Sequence, residues 1–189
     1  MLKAILFFNN FNGRTTIKTM KKIILLLTIV FILTSCENEV KEINSTGGEI
    51  LMGNNKGSVY SFGKMDDANH ALNFSKAFTV KDYSFFTEEN FNDTIFFYPE
   101  KGLDRLEFDI QSAIELIKSM HEPYDSITRE IYDVIPLVPS YNEDLTVVIF
   151  PFSETRYGKD GSIEKYRFTE RHYISGGKVY GVRKWSQEE

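Results

Sequence analysis

The apolar residues recur with a helical period in the first half of the chain and alternate with polar ones in the last third. Small and apolar residues spaced three and four apart follow Asp66–Asp67, which predicts a helix capped by that acidic pair and broken by Lys81-Asp82. A shorter helix is predicted over Tyr83 to Phe91. A third amphipathic helix, capped by Asp109, is predicted from the stripe Ile110, Ala113, Ile114, Ile117 and Met120.

The segments rich in β-branched and aromatic residues predict strands. Ser58 to Phe62 could pair as a short edge strand or simply lead into the domain, and Thr94 to Tyr98 is a strand stopped by Pro99. Glycine-containing turns then separate the members of a late antiparallel meander. Its four predicted extended segments are Ser126 to Leu137, Leu145 to Tyr157, Ser162 to Ile174 and Lys178 to Trp185. Early helices followed by a meander indicate an α+β fold, with three N-terminal helices on one face of a curved, mostly antiparallel sheet.

The N-terminal segment has the order of features of a bacterial lipoprotein signal peptide. Two lysines precede the apolar run Ile23 to Leu33, which is too short to span a bilayer. The run ends in Leu33-Thr34-Ser35-Cys36, which resembles a lipobox. We therefore expect residues 1–35 to be removed, with Met20 as the true start, and Cys36 to carry lipid.

The polar stretch that follows predicts a flexible tether over residues 36–57, with the folded domain over 58–189. Its acidic residues directly after Cys36 resemble a surface-export signal, so an outer-membrane lipoprotein could be surface-exposed or periplasmic. The lipid would make the membrane one partner of the protein.

Charge and cysteine content exclude several functions. The chain has 22 basic and 27 acidic residues, and residues 1–35 contain five basic residues and no acidic one, so the mature chain has a net charge of −10. Such a chain repels phosphate backbones, which argues against nucleic-acid binding. Cys36 is the only cysteine. Its lipidation would leave no thiol for a disulfide or for catalysis.

Three stretches, residues 71–83, 91–99 and 171–182, resemble the NTF2-like (SnoaL-like) superfamily in their order and spacing. The resemblance implies a cone-shaped α+β domain, often a homodimer through its sheet, with a pocket at the mouth of the cone. The superfamily includes steroid isomerases, polyketide cyclases, dehydratases and non-catalytic binding modules, so the fold alone assigns no function. Of the isomerase's three catalytic positions, Glu170 matches, whereas Tyr98 and Phe74 replace the other two.

The strand Ser162 to Ile174 carries the candidate chemistry. Alternate residues of a strand lie on the same face of the sheet, and Glu170 and His172 fall on the same alternate positions as apolar residues of this strand. This pattern predicts an inward-facing acid–base pair. The alternatives are an outward, salt-bridged face or a satisfied polar pair at the sheet edge. Glu170 and His172 are also expected to line the pocket, together with four aromatic residues: Phe96, Tyr98, Phe168 and Trp185.

The sequence contains no motif for a metal, a nucleotide cofactor or an activated nucleophile, so we expect neither cofactor nor metal. The leading hypothesis is a lipid-anchored, non-catalytic module that binds a small apolar ligand or a partner. The alternative is a cyclase, dehydratase or isomerase that uses Glu170 and His172. A third hypothesis is a purely structural envelope lipoprotein.

Overall fold

The computed structural model describes residues 46–99 and 104–188. Within these residues the chain forms two α-helices and nine strands. The helices are α1, Met65–Thr79, and α2, Ile110–His121. The strands are β1 Gly48–Glu49, β2 Val59–Phe62, β3 Phe91–Tyr98, β4 Leu106–Phe108, β5 Tyr124–Ile131, β6 Ile135–Pro139, β7 Leu145–Gly158, β8 Ile163–Ser175 and β9 Lys178–Glu188.

All nine strands join one mixed, mostly antiparallel sheet. Eight of them follow the order β1-β2-β6-β7-β8-β9-β3-β4, and β5 lies off this path, paired with β7. Among the described strands only β3 and β9 pair in parallel. The long strand β7 pairs with β6 through its first half and with β5 through its second half. The switch of neighbour lies between Ile131, which pairs with Phe152, and Ile135, which pairs with Ile149.

The core lies between the two helices and one face of the sheet. Helix α1 brings the fully buried Ala68 and Ala71 toward the sheet, and these small side chains allow a close approach. Helix α2 begins at the cap predicted from the sequence, where the Asp109 carboxylate accepts a 2.7 Å hydrogen bond from the Ser112 amide. Alternate residues of β7, among them Phe150 and Phe152, complete the core.

The second predicted helix is wrong: residues 83–85 form a single 3₁₀ turn. The Asp82 carboxylate accepts a hydrogen bond from the Ser84 amide, and the Asn90 side chain donates to the Phe85 carbonyl. These local bonds compete with helix formation over the segment. The helical region therefore contains two α-helices rather than three, and the acidic pair of α1 lies in its first turn, because the capping position is Lys64.

Two further boundaries differ from the sequence prediction. The extended segment Ser126 to Leu137 is two strands, β5 and β6. Part of the predicted tether is structured, because Gly48 and Glu49 pair with Tyr60 and Val59 in a hairpin. The short strand β4 was not predicted at all. The predicted signal peptide and Cys36 lie outside the described residues, and no helix within 46–99 or 104–188 is long and apolar enough to cross a membrane.

Candidate functional site

A cavity of about 80 Å³ lies between the two helices and the sheet. Its wall is mainly aromatic and aliphatic, and is contributed by α1, α2, β3, β4 and β9. The apolar residues that define it include Phe74, Phe91, Phe97, Phe108, Ile117 and Met120. Apolar lining with a few polar groups is typical of small-molecule sites.

One part of the cavity wall is polar. Ser75 of α1, Arg129 of β5, Glu170 and His172 of β8, and Lys184 of β9 all border the cavity. We call Arg129, Glu154, Glu170, His172 and Lys184 the polar cluster; Glu154 of β7 lies behind the wall and is fully buried. Each member lies on an inward-facing position of its strand, which is why four strands can bring charged groups to one place.

Arg129 connects most of the polar cluster. Its Nε donates to Glu154 Oε2 at 2.7 Å, and its Nη1 donates to Ser75 Oγ at 2.9 Å. Its Nη2 lies 3.6 Å from Glu170 Oε1. The guanidinium carbon is 4.4 Å from the ring centroids of both Phe78 and Phe152, so the cation is held between two aromatic faces.

Glu170 and His172 form a hydrogen-bonded pair, with 2.9 Å between Glu170 Oε2 and His172 Nε2. Burial favours the neutral acid, but the Arg129 charge and the His172 hydrogen bond outweigh it and lower the pKa of Glu170 to about 2. An ionised carboxylate only accepts, so Nε2 is the protonated nitrogen. The other ring nitrogen, Nδ1, has no hydrogen-bond partner among residues 46–99 and 104–188.

The pair therefore has the composition of an acid–base dyad. A carboxylate fixes the tautomer of an imidazole and would stabilise the imidazolium, while the second nitrogen is free to accept a proton. The ring of His172 is packed between Phe74 and Phe150, with centroids at 5.0 and 4.8 Å.

Lys184 lies opposite Glu170 on the neighbouring strand. Its side chain is only 6% exposed, and its Nζ is 3.6 Å from the Phe168 ring centroid and 4.0 Å from Glu170 Oε1. Burial lowers the pKa of Lys184, although the carboxylates of Glu170 and Glu154 act in the opposite direction.

Glu154 is held by two arginines. Its Oε1 accepts from Arg156 Nε at 2.6 Å, while Arg129 occupies Oε2. Burial opposes ionisation of Glu154, but the charges of Arg129, Lys184 and Arg156 lower the pKa of this carboxyl group. Arg156 lies at the outer edge, near the rings of Tyr166 and Phe168.

The structure brings only part of the predicted pocket together. Glu170, His172 and Phe96 border the cavity, although the Phe96 ring also packs against Tyr180 and lies under Arg105. Phe168 is buried but does not border the cavity, because the Lys184 ammonium covers its ring.

Tyr98 and Trp185 are corrections to the predicted lining, since neither borders the cavity. Trp185 is 44% exposed, and Arg183 stacks on the Tyr98 ring. For Trp185 the reason is a bulge in β9: its pairing with β8 shifts by one residue between Tyr173 and Ile174. Beyond the bulge Lys184 faces inward and Trp185 faces outward.

A second buried histidine lies apart from the Glu170–His172 pair. His121, at the end of α2, is 3% exposed and forms a 3.0 Å hydrogen bond between its Nδ1 and the Tyr83 hydroxyl. Its Nε2 has no partner within the described part of the chain. Burial, followed by the charges of Lys81 and Arg129, lowers the pKa of His121 to about 4. Within residues 46–99 and 104–188, no group of three or more His, Cys, Asp or Glu could hold a metal ion.

Comparison with known proteins identifies the fold. No protein-family model and no curated protein matches the sequence. A proposed polyketide cyclase from Acidithiobacillus ferrooxidans superposes with a TM-score of 0.53 at 12% identity, over 65% of this chain and 88% of that one. An NTF2-like protein from Anabaena variabilis gives 0.53 at 15% identity, over 68% and 95%. A Mycobacterium tuberculosis epoxide hydrolase described as LEH-like gives 0.52 at 10%, over 65% and 84%.

The likeness to these structures shows that the domain has an NTF2-like fold. At such low identity it carries no catalytic residues across, and proteins of this fold differ in function. The function must be argued from the cavity and the polar cluster.

Proposed function

We propose that the domain binds a small, mainly apolar molecule in the cavity, as a binding module rather than an enzyme. The observation that carries this proposal is a mostly apolar cavity of about 80 Å³ in the core, with polar side chains on one side. Protein interiors are packed with few voids larger than a water molecule, so a cavity of this size leaves van der Waals contacts unmade. An apolar ligand would recover those contacts.

Xenon tests the cavity directly, because this apolar atom enters dry protein cavities. We expect xenon pressure to shift the backbone amide signals of residues around the cavity in ¹H–¹⁵N NMR spectra. Ala113→Ile should abolish those shifts, because Ala113 borders the cavity and the larger side chain fills it. Gln111→Ile on the exposed face of the same helix is the matched control. Equal shifts in both variants would contradict the proposal.

Native mass spectrometry of protein purified gently from its own cells would then identify the ligand class. We expect a bound small molecule in the wild-type protein and its loss in Ala113→Ile. The same added mass in both proteins would place that molecule outside the cavity.

A second candidate function is proton transfer of the cyclase, dehydratase or isomerase type. The observation that favours it is the 2.9 Å hydrogen bond that orients His172 and leaves Nδ1 without a partner in the described chain. A base of this kind would remove a proton from the carbon next to a carbonyl group. We would measure deuterium exchange at the α-carbons of butanone in D₂O. Exchange no faster with wild type than with His172→Phe would exclude this function.

Lipid anchoring through Cys36 is a separate part of the proposal and rests on the sequence pattern alone. An acylated N-terminus would hold the domain at the outer membrane. Cys36→Ser should abolish acyl labelling in cells and leave the precursor unprocessed. Labelling that persists in the variant would refute the anchor without affecting the proposal for the cavity.

A further inference from the structure

Lys184 lines the cavity, and its ammonium group has no hydrogen-bond partner in the described part of the chain. The nearest carboxylate oxygen, Glu170 Oε1, is 4.0 Å from Nζ, which is beyond hydrogen-bond distance. Its other neighbour is the face of Phe168, which attracts a cation but accepts no strong hydrogen bond. Among residues 46–99 and 104–188, no acceptor reaches the three N–H donors of this side chain.

The other charged groups of the polar cluster are satisfied by contrast. Arg129 donates to Glu154 and Ser75, and Glu154 accepts from a second arginine. Glu170 accepts from His172. Lys184, which is 6% exposed and only 4.0 Å from its nearest carboxylate, is therefore the one cation of the cluster without a hydrogen bond in the described chain, and it lines the cavity.

Buried donors that find no partner in the protein are costly, and they select ligands that supply an acceptor. Glu170 cannot supply one without moving, because its Oε2 is bound to His172 and its Oε1 lies nearer to Arg129, at 3.6 Å, than to Lys184. The acceptor must come from the cavity side. The rest of the wall is aromatic and aliphatic, so the remainder of the ligand has to be apolar.

We propose that Lys184 is the polar anchor of the cavity, and that its ammonium group donates a hydrogen bond to a carbonyl-type oxygen on a small apolar ligand. This inference rests on the proposed binding function and adds the chemical class of the ligand. A carboxylate, an amide and a ketone all present such an oxygen, and the experiment distinguishes them.

Four molecules of nearly equal shape provide the test: propanoate, propanamide, butanone and 2-methylbut-1-ene. The alkene replaces the carbonyl oxygen of butanone by a CH₂ group. We would titrate each into the purified protein and follow the amide signals of cavity residues by NMR. Hydrogen bonds to charged groups contribute enough to favour the oxygen-containing molecules about tenfold or more over the alkene. If the ligand is an acid, propanoate should bind best; if it is neutral, butanone or propanamide should.

The variants isolate the role of Lys184. Lys184→Met keeps the length of the side chain and removes the donor. The variant should therefore bind the oxygen-containing molecules and the alkene with about equal affinity. Lys165→Met, on the exposed side of β8, is the matched control and should leave the preference unchanged. Equal binding of butanone and the alkene to wild type would overturn the inference while leaving apolar binding intact. Binding of none of the four molecules would instead refute the proposed function.

Discussion

Replacing Arg129 by methionine should destabilise the protein strongly, and more at neutral pH than in acid. The substitution keeps an unbranched apolar side chain between Phe78 and Phe152 but removes the only described cation bonded to both Glu154 and Ser75. Two buried carboxylates would then lose the charge that does most to keep them ionised.

The magnitude follows from the pKa of Glu170. The lowering from 4.5 to about 2 corresponds to about 3 kcal/mol of stability at neutral pH. Among the interactions that produce it, the charge of Arg129 is the largest. Breaking a buried ion pair by removing one partner costs about 3–5 kcal/mol. We therefore expect Arg129→Met to lower the free energy of unfolding by about 3–5 kcal/mol at pH 7.5.

The pH dependence separates this explanation from lost packing. A carboxyl group with a lowered folded pKa contributes stability above its ordinary pKa, and that contribution is lost as the pH falls. Without Arg129, less opposes the effect of burial, so the pKa values of both carboxyl groups should rise and protonation should relieve part of the penalty. The destabilisation should therefore shrink toward pH 4.5 in urea unfolding measurements.

Two further variants complete this experiment. Arg171→Met removes an arginine that stacks on Trp185 at the outer face, and should cost no more than about 1 kcal/mol. Adding Glu154→Gln to Arg129→Met should restore part of the lost stability, because it removes one of the two carboxylates that lost the Arg129 charge, leaving only Arg156 bonded to that side chain. A loss that is equal at pH 7.5 and pH 4.5 would refute the electrostatic reasoning and assign the effect to packing.

Three further outcomes follow from the structure. The lowered pKa of His121 means that stability falls as the pH drops from 6.5 toward 4, and urea unfolding of His121→Phe should show a flatter profile in that window. Asp109→Ala removes the cap of α2 and should lower the free energy of unfolding by about 1 kcal/mol; no change would show that the cap is dispensable. Trp185→Ala should leave the xenon-induced NMR shifts unchanged, whereas their loss would contradict its placement outside the cavity.

The sequence predicted the late strands well because their alternation and their glycine turns are local signals. The same parity argument placed Glu170 and His172 side by side on the inner face of β8. It worked because Phe168 and Ile174, which share that parity, are large apolar residues whose burial is unambiguous. The prediction of a second, short helix failed because the side chains of Asp82 and Asn90 form local hydrogen bonds that compete with helix formation. The spacing of apolar residues carries no information about such bonds.

The rest of the polar cluster depends on contacts between strands. The alternation of residues along one strand predicts which face of the sheet a side chain lies on, but not which side chains of other strands it contacts. Arg129 alternates with the apolar residues Ile127 and Ile131, so the sequence pattern could have predicted its inward position. Its partner Glu154 lies on another strand, and that contact is not visible in the pattern of one strand. For Lys184 the sequence pattern predicts the wrong face of the sheet. Counting from the turn after Ser175 would pair Trp185 with Phe168 on the inner face, and only the bulge in β9 moves Lys184 there instead.

Burying charges is a costly way to stabilise a core, because well-packed apolar residues of similar volume often serve as well or better. The polar cluster keeps four ionised side chains nearly inaccessible to solvent, yet only one of them, Lys184, lacks a hydrogen bond in the described chain. Arg129 and the two glutamates hold one another in fixed positions, and that rigidity orients His172 and leaves Lys184 without a hydrogen bond beside the cavity. An arrangement that only stabilised the fold would have no reason to leave its last donor open on the side where a ligand can reach it. We therefore link the energetic cost of the cluster to the binding function proposed for the cavity that it borders.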